Sequence, residues 1–215
     1  MQAVIFDFDG VVVDSQLHWD RLGAAHVQKV LPTWDDEKQK RLKGHNNQNC
    51  YDILTQDFGF AMPYDGFVTH VRLLSKEIYE VHAGPTAGIE ALLDRLAPLV
   101  PLPSIASASE RQWIELLLGR IALRGRFGDI TTSDEVARSK PAPDVYLKAA
   151  DKLGLAPADC LAIEDTDAGG AAAAAAGMRV VGFHPPGQDW QAIATAHRHI
   201  HSFDELTGEA LRTGI

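Results

Sequence analysis

The sequence predicts a doubly wound, parallel α/β core with a small all-helical unit inserted behind its first strand. Three observations lead there. Val4-Ile5-Phe6 is a short apolar run ending in two acids and a glycine, the pattern of a strand buried on both faces of a parallel sheet. From residue 83 onward, strand-like apolar runs alternate with stretches of helical periodicity, as in successive βαβ units. Between these, residues 15–81 carry only helical patterns, over a longer stretch than one crossover needs. The expected division is a core of residues 1–14 and 82–215, and a helical lid of residues 15–81.

Composition narrows the function classes. The 215 residues suit one large domain, or one domain carrying an insert. With 46% hydrophobic and 23% charged residues the chain is globular in character. Lys and Arg number 20 against 29 Asp and Glu, a formal charge of -9, which argues against a nucleic-acid partner. Cys50 and Cys160 form neither a C-x-x-C pair nor a disulfide framework. The first strand starts at residue 3 with no signal-peptide pattern before it, and its apolar run is far short of the roughly 20 residues of a membrane span. These features predict a cytoplasmic protein with no membrane partner, expected to be a monomer.

Each element has its own signal. Gln16 to Val30 places Leu17, Leu22, Ala25 and Val27 at helical intervals. Thr33, followed by Asp35-Asp36-Glu37, reads as the N-cap of a second helix. Tyr51 to Phe58 and Phe67 to Val81 continue the helical pattern. Gly84-Pro85 marks the return to the core, with a helix from Pro85 to Leu96 through Ile89, Leu92 and Leu93. Pro103 to Ala106 is a short strand, and Ser109 with Gln112 has capping-box spacing for the helix that runs to Gly119. Ile130 to Thr132 is another short strand. A helix using Val145, Tyr146, Ala149 and Leu153 ends at Gly154. Cys160 to Ile163 is a buried strand, Gly169 to Ala176 an alanine-rich helix, and Arg179 to Phe183 a further strand. A last strand is expected between His199 and Leu206.

Polar residues gather at the ends of these strands: Asp7 and Asp9, Ser107, Lys140 in a loop, and Glu164 with Asp165. Alternate residues of an extended segment point the same way, so Asp7 and Asp9 are expected to face one crevice. In open α/β sheets that crevice lies at the carboxyl ends of the strands. Acids on one side with a hydroxyl and an ammonium on the other suit a phosphate and a hard divalent cation. Mg²⁺ takes one or two carboxylates together with waters and phosphate oxygens.

The arrangement resembles the haloacid dehalogenase superfamily, and within it the β-phosphoglucomutase-like phosphatases with a helical cap. Asp7-Phe8-Asp9-Gly10-Val11 matches D-x-D-G-[TV], and Ser107 matches the Ser or Thr of the second motif. Lys140-Pro141-Ala142-Pro143-Asp144 matches K-P-x-P-D. Glu164-Asp165, running on to Ala176-Gly177-Met178, is similar to the fourth motif. The resemblance implies that Asp7 attacks phosphorus to give an aspartyl-phosphate and that Asp9 is the general acid and base. It implies Mg²⁺ held by Asp7, Asp165 and the backbone carbonyl of Asp9, with Glu164 as ligand or outer partner. Ser107, Ala108 and Lys140 would hold the phosphate. Lys43, Gly44, His45 and Asn47 of the cap would select the substrate, a small phosphorylated metabolite.

A sugar or polyol phosphate is the expected substrate and hydrolysis the expected reaction, with a phosphomutase or a silent phosphometabolite-binding protein as alternatives. Mutases of this family supply a cap arginine to a second phosphate, and a Lys-Asn pair after S-A-S. Here Asn47 stands at the arginine's place and Glu110-Arg111 follow Ser109, though Arg111 or Arg41 could compensate. His197, His199 and His201 alternate like metal ligands, but an exposed edge strand explains them better. His184-Pro185-Pro186 is expected to form a loop near the rim of the site.

Overall fold

The structure, a computed structural model, describes residues 1–185 and 192–213, so Pro186 of the expected rim loop lies outside the described residues. The chain starts with β1 (Ala3–Phe6) and passes into α1 (Ser15–His18), a π-helical turn at Trp19–Gly23, and α2 (Ala24–Gln28). Helices α3 (Asp36–Lys40), α4 (Asn47–Phe58) and α5 (Tyr64–Glu77) follow, and a second π-helical turn at Ile78–His82 leads out. Then come α6 (Ile89–Leu96), β2 (Ser104–Ser107), α7 (Arg111–Arg120), β3 (Ile130–Thr132) and α8 (Asp144–Leu153). The chain continues with β4 (Cys160–Glu164), α9 (Asp167–Ala175), β5 (Arg179–Phe183), β6 (Arg198–Ile200) and α10 (Gly208–Thr213).

The six strands form one parallel sheet in the order β3-β2-β1-β4-β5-β6. The period of two along β1 divides it between two cores. Val4 and Phe6 pack with Ile89, Leu92, Ile114 and Leu117 of α6 and α7, whereas Ala3 and Ile5 pack with Val145, Ala149, Ala172 and Ala173 of α8 and α9. Burial on both faces is why these strands read as continuous apolar runs. A third cluster, with Trp34, Leu54, Phe60 and Phe67, is the interior of the helical insert. The order of strands reverses at β1, and the carboxyl edge of the sheet at such a switch point is where ligands bind.

Local expectations fail where a side chain has other work. Thr33 is not the cap of α3: Asp35 is, its carboxylate accepting from the Lys38 amide at 3.0 Å. The shift follows from Trp34, which is buried in the insert with its indole donating to Gln39 Oε1 at 2.8 Å. Ser109 does not cap α7 either: Glu110 occupies that position, and the Ser109 hydroxyl turns toward Asp9. The alanine-rich helix starts earlier than expected, at Asp167, with Thr166 accepting from the Gly169 amide at 3.1 Å. The last strand is shorter than expected and gives way to a 3₁₀ turn at Phe203–Glu205. His197, His199 and His201 are exposed along that edge, His197 accepting from the Val180 amide at 3.1 Å.

Candidate active site

Two adjacent strands and a loop deliver the charged floor of the site. Asp7 follows the last residue of β1, its amide donating to Ile163 O at 2.9 Å, and Glu164 ends the neighbouring β4. Lys140, from the loop before α8, is 1% exposed and stands between them. Its Nζ donates to Asp7 Oδ1 at 2.6 Å, to Glu164 Oε1 at 2.6 Å and to Ala106 O at 3.0 Å, which uses all of its donors. Glu164 also accepts from the Tyr146 hydroxyl at 2.6 Å, and a Cβ at Gly169 would fall 2.0 Å from its Oε1. Tyr146 and Gly169 are thus part of the site, although their sequence signals were those of a core aromatic and a helix residue.

Charge at this floor is unbalanced. Asp7, Glu164 and Asp165 each present an oxygen within 4.8 Å of the others, against the single ammonium of Lys140. Like charges about 4 Å apart repel by roughly 4 kcal/mol at an effective dielectric of 20. Lys140 keeps its proton, because Asp7 and Glu164 beside it overcome the cost of burying its charge and raise its pKa. The Asp7 carboxyl is pushed up to about 8, as burial, with Glu164 adding, outweighs the pull of Lys140. Burial and the same neighbouring acids lift Asp165 well above the usual carboxylate range. Asp165 Oδ1 is buried without a hydrogen-bond partner. An all-oxygen donor set, a surplus of negative charge and an orphaned carboxylate oxygen fit a hard divalent cation.

Asp9 lies in the turn behind β1, closed by Gly10 N→Val13 O at 2.7 Å and Val12 N→Phe8 O at 2.9 Å. Three hydroxyls donate to its carboxylate: Ser15 to Oδ1 at 2.5 Å, Tyr79 to Oδ1 at 2.7 Å, and Ser109 to Oδ2 at 2.6 Å. Ser15 opens α1, a few residues after the Asp7-Phe8-Asp9 run. Tyr79 is 70 residues away and had only the signal of a helix-face aromatic. Ser107 at the end of β2 accepts from the Ser109 amide at 3.0 Å, and Ala108 between them borders the same space.

A cavity of about 320 Å³ opens between the insert and the sheet edge, a volume suited to a small molecule. Asp7, Asp9, Ser107 and Ala108 lie on its core side; Lys43, Gly44, His45 and Asn47 line it from the insert. Trp19 and Trp113 give it aromatic surface. Lys43 pairs with Asp20 at 2.7 Å, and burial lowers the pKa of His45. Gly44 has φ +76° and packs so closely that a Cβ would fall 2.6 Å from Thr166 Oγ1. Asn49 Nδ2 donates to Lys140 O at 3.2 Å, which ties α4 directly to the loop that carries Lys140. Glu110 accepts from Asn47 at 3.3 Å and Arg72 at 3.2 Å, joining α4 and α5 to the core. The two arginines considered as compensation are engaged elsewhere. Arg41 pairs with Asp57 and lies over the Phe58 ring, and Arg111 pairs with Glu135 at 2.7 Å.

The model of the haloacid dehalogenase-like hydrolases matches residues 4–183. The fructose-1-phosphate phosphatase YqaB of Escherichia coli (strain K12) is 40% identical over 195 residues, covering 83% of this chain and 94% of that one. The β-phosphoglucomutase of Bacillus subtilis (strain 168) is 31% identical over 198 residues, covering 85% and 83%. A solved haloacid dehalogenase family hydrolase of Deinococcus radiodurans R1, with bound phosphate and sodium, superposes with a TM-score of 0.74. It is 30% identical, over 100% of this chain and 96% of that one.

Proposed function

We propose that this chain, which belongs to the haloacid dehalogenase-like hydrolase family, is a Mg²⁺-dependent phosphatase acting on a sugar or polyol monophosphate. It is an enzyme, a phosphomonoester hydrolase with a β-phosphoglucomutase-like fold. The observation that carries the finer reading is the pair Asp7 and Asp9 on the floor of one cavity, the first held by Lys140 and the second by three hydroxyls.

In this reading Asp7 is the nucleophile. Lys140 aligns its Oδ1, leaving Oδ2 for attack on phosphorus, and forms part of the positive surround of the phosphate. Asp9 gives a proton to the departing alcohol, then takes one from the water that cleaves the aspartyl-phosphate. Ser107 and Ala108 border the place of the phosphate. Asp7, Asp165 and the carbonyl of Asp9 would hold Mg²⁺, with Glu164 committed to Lys140 and Tyr146 as their support. Bound there, Mg²⁺ supplies charge neutralisation between the acids and the phosphate.

The polar rim of Lys43, His45, Asn47 and Glu110 beside Trp19 and Trp113 suits hydroxyls on a carbon skeleton. Glu110 favours hydrolysis over mutase chemistry, because its carboxylate faces the insert where a second phosphate would have to lie. YqaB, named for fructose 1-phosphate, supports the same substrate class. The test is phosphate release from a panel of sugar, polyol and nucleotide phosphates, with Mg²⁺ and with EDTA. Release only from nucleotides, or undiminished release in EDTA, would overturn this reading.

A further inference from the structure

The two cap connectors are the two π-helical turns, and they meet over Asp9. The Trp19 indole of the first donates to the Tyr79 hydroxyl of the second at 3.4 Å. Such turns are rare and concentrate at functional sites. Tyr79 is 1% exposed, and its ring stacks on Trp113 with centroids 6.2 Å apart and lies 6.4 Å from Phe8. Its carbonyl accepts from Arg120 Nε at 3.0 Å, so backbone and ring are both fixed. The hydroxyl then has one direction to point: 2.7 Å from Asp9 Oδ1 and 3.2 Å from Ser109 Oγ.

We propose that Tyr79 is a positioning residue for the phosphoryl-transfer step, its hydroxyl setting the orientation of the Asp9 carboxylate toward the leaving oxygen. A carboxylate can rotate about its bond to Cβ, and Ser15 and Ser109 are short side chains with freely turning hydroxyls. Tyr79 brings a donor on a ring locked by packing, from the π-helical turn that closes the insert. The reading rests on Asp9 as general acid.

Tyr79→Phe keeps the ring and removes only the donor. The test measures kcat/KM, which reports the first transfer, on an alkyl phosphate (glycerol 2-phosphate) and on p-nitrophenyl phosphate, whose leaving group needs little protonation. Misplacing a general acid is expected to lower the alkyl value by about 10- to 100-fold. The p-nitrophenyl value should stay within about twofold, and the same change in an Asp9→Asn background should cost nothing further. Ser109→Ala, which removes a donor from the other oxygen, should show the same leaving-group dependence. Thermal midpoints of all variants report whether they fold. Equal losses on both substrates, no loss on either, or a further loss in the Asp9→Asn background would overturn the assignment. Wild-type protein inactive on p-nitrophenyl phosphate and on every phosphate of the panel would instead overturn the phosphatase reading, and this assignment with it.

Discussion

Gly10 and Asp165 approach so closely that position 10 admits no side chain: a Cβ there would fall 2.0 Å from Asp165 Oδ2. Gly10 also has φ +83°, a region that costs an L-residue of order 1 kcal/mol or more. The turn behind β1 and the loop after β4 are therefore built against each other, one as the mould of the other. Gly10→Ala must displace the Asp165 carboxylate. Half-saturating Mg²⁺ is expected to rise by about 10- to 100-fold, as when the support of a metal ligand is lost. Titration of activity and of thermal midpoint with Mg²⁺ checks it; an unchanged midpoint concentration would refute the role given to Asp165.

Asp7→Asn is expected to abolish turnover while the protein stays folded. An amide oxygen cannot form the acyl-phosphate, and the change removes one of three crowded acid groups. A freshly purified variant with near wild-type phosphate release would rule out Asp7 as nucleophile.

Chelation should stop the reaction and added Mg²⁺ restore it. Mg²⁺ should also raise the thermal midpoint, because a ligand that binds the folded state alone stabilises it, by about 2.7 kcal/mol at one hundred times its Kd. For a chain of this size 1 kcal/mol corresponds to about 2–4 °C. Calcium, larger and less strict in geometry, should raise the midpoint yet support little turnover. No thermal response to Mg²⁺ would remove the metal from the site.

With β-glucose 1-phosphate and a bisphosphate primer, followed by ³¹P NMR, free phosphate is expected to outpace glucose 6-phosphate. The carboxylate of Glu110 and the engagement of Arg41 and Arg111 elsewhere both work against a doubly phosphorylated intermediate. The opposite ratio would make the protein a mutase.

His184 should give the fold an acid limb. Its ring is buried, with His199 Nδ1 at 2.8 Å from its Nε2 and His201 beside it. Burial, then these two neighbours, lowers its pKa to about 4 from 6.5. A group depressed in the folded state contributes stability above its unfolded pKa and loses it as pH falls toward the folded one. The contribution of His184 to the thermal midpoint should therefore be constant above pH 6.5 and fall away between 6.5 and 4. His184→Gln should flatten that decline; an equal slope in the variant would assign it to other groups.

The acids, the lysine and the strands that carry them are legible in the sequence because each follows from a local rule. An apolar run buried on both faces must end, and what stands at its end faces the crevice. Boundaries were less legible where a side chain answered to a distant partner. Ser109 has the spacing of a cap, yet its hydroxyl is taken by Asp9, whose place beside it is set by the pairing of β1 with β2. Tyr146 and Tyr79 fit the apolar stripes of their helices, and only the packed chain shows that one ring ends in a hydroxyl aimed at Glu164 and the other in one aimed at Asp9. Asp35 rather than Thr33 caps α3 because the burial of Trp34 is a property of the insert as a whole.

The insert leaves and rejoins the core at a clasp: Asp14 N→Gly84 O at 3.0 Å, Gly84 N→Asp14 Oδ1 at 2.6 Å, and Thr86 N→Val12 O at 3.0 Å, with Val13 bridged to Pro85. For the sheet, everything between Asp14 and Gly84 is one closed bight of chain, whatever its length. Closing a loop costs entropy that grows only as the logarithm of its length, and a helical unit that folds first brings its own ends together. The polymer can thus exchange the chamber without redrawing the sheet. On the proposed function, reactivity falls to the strand ends and selectivity to the bight, two separate passages of one sequence.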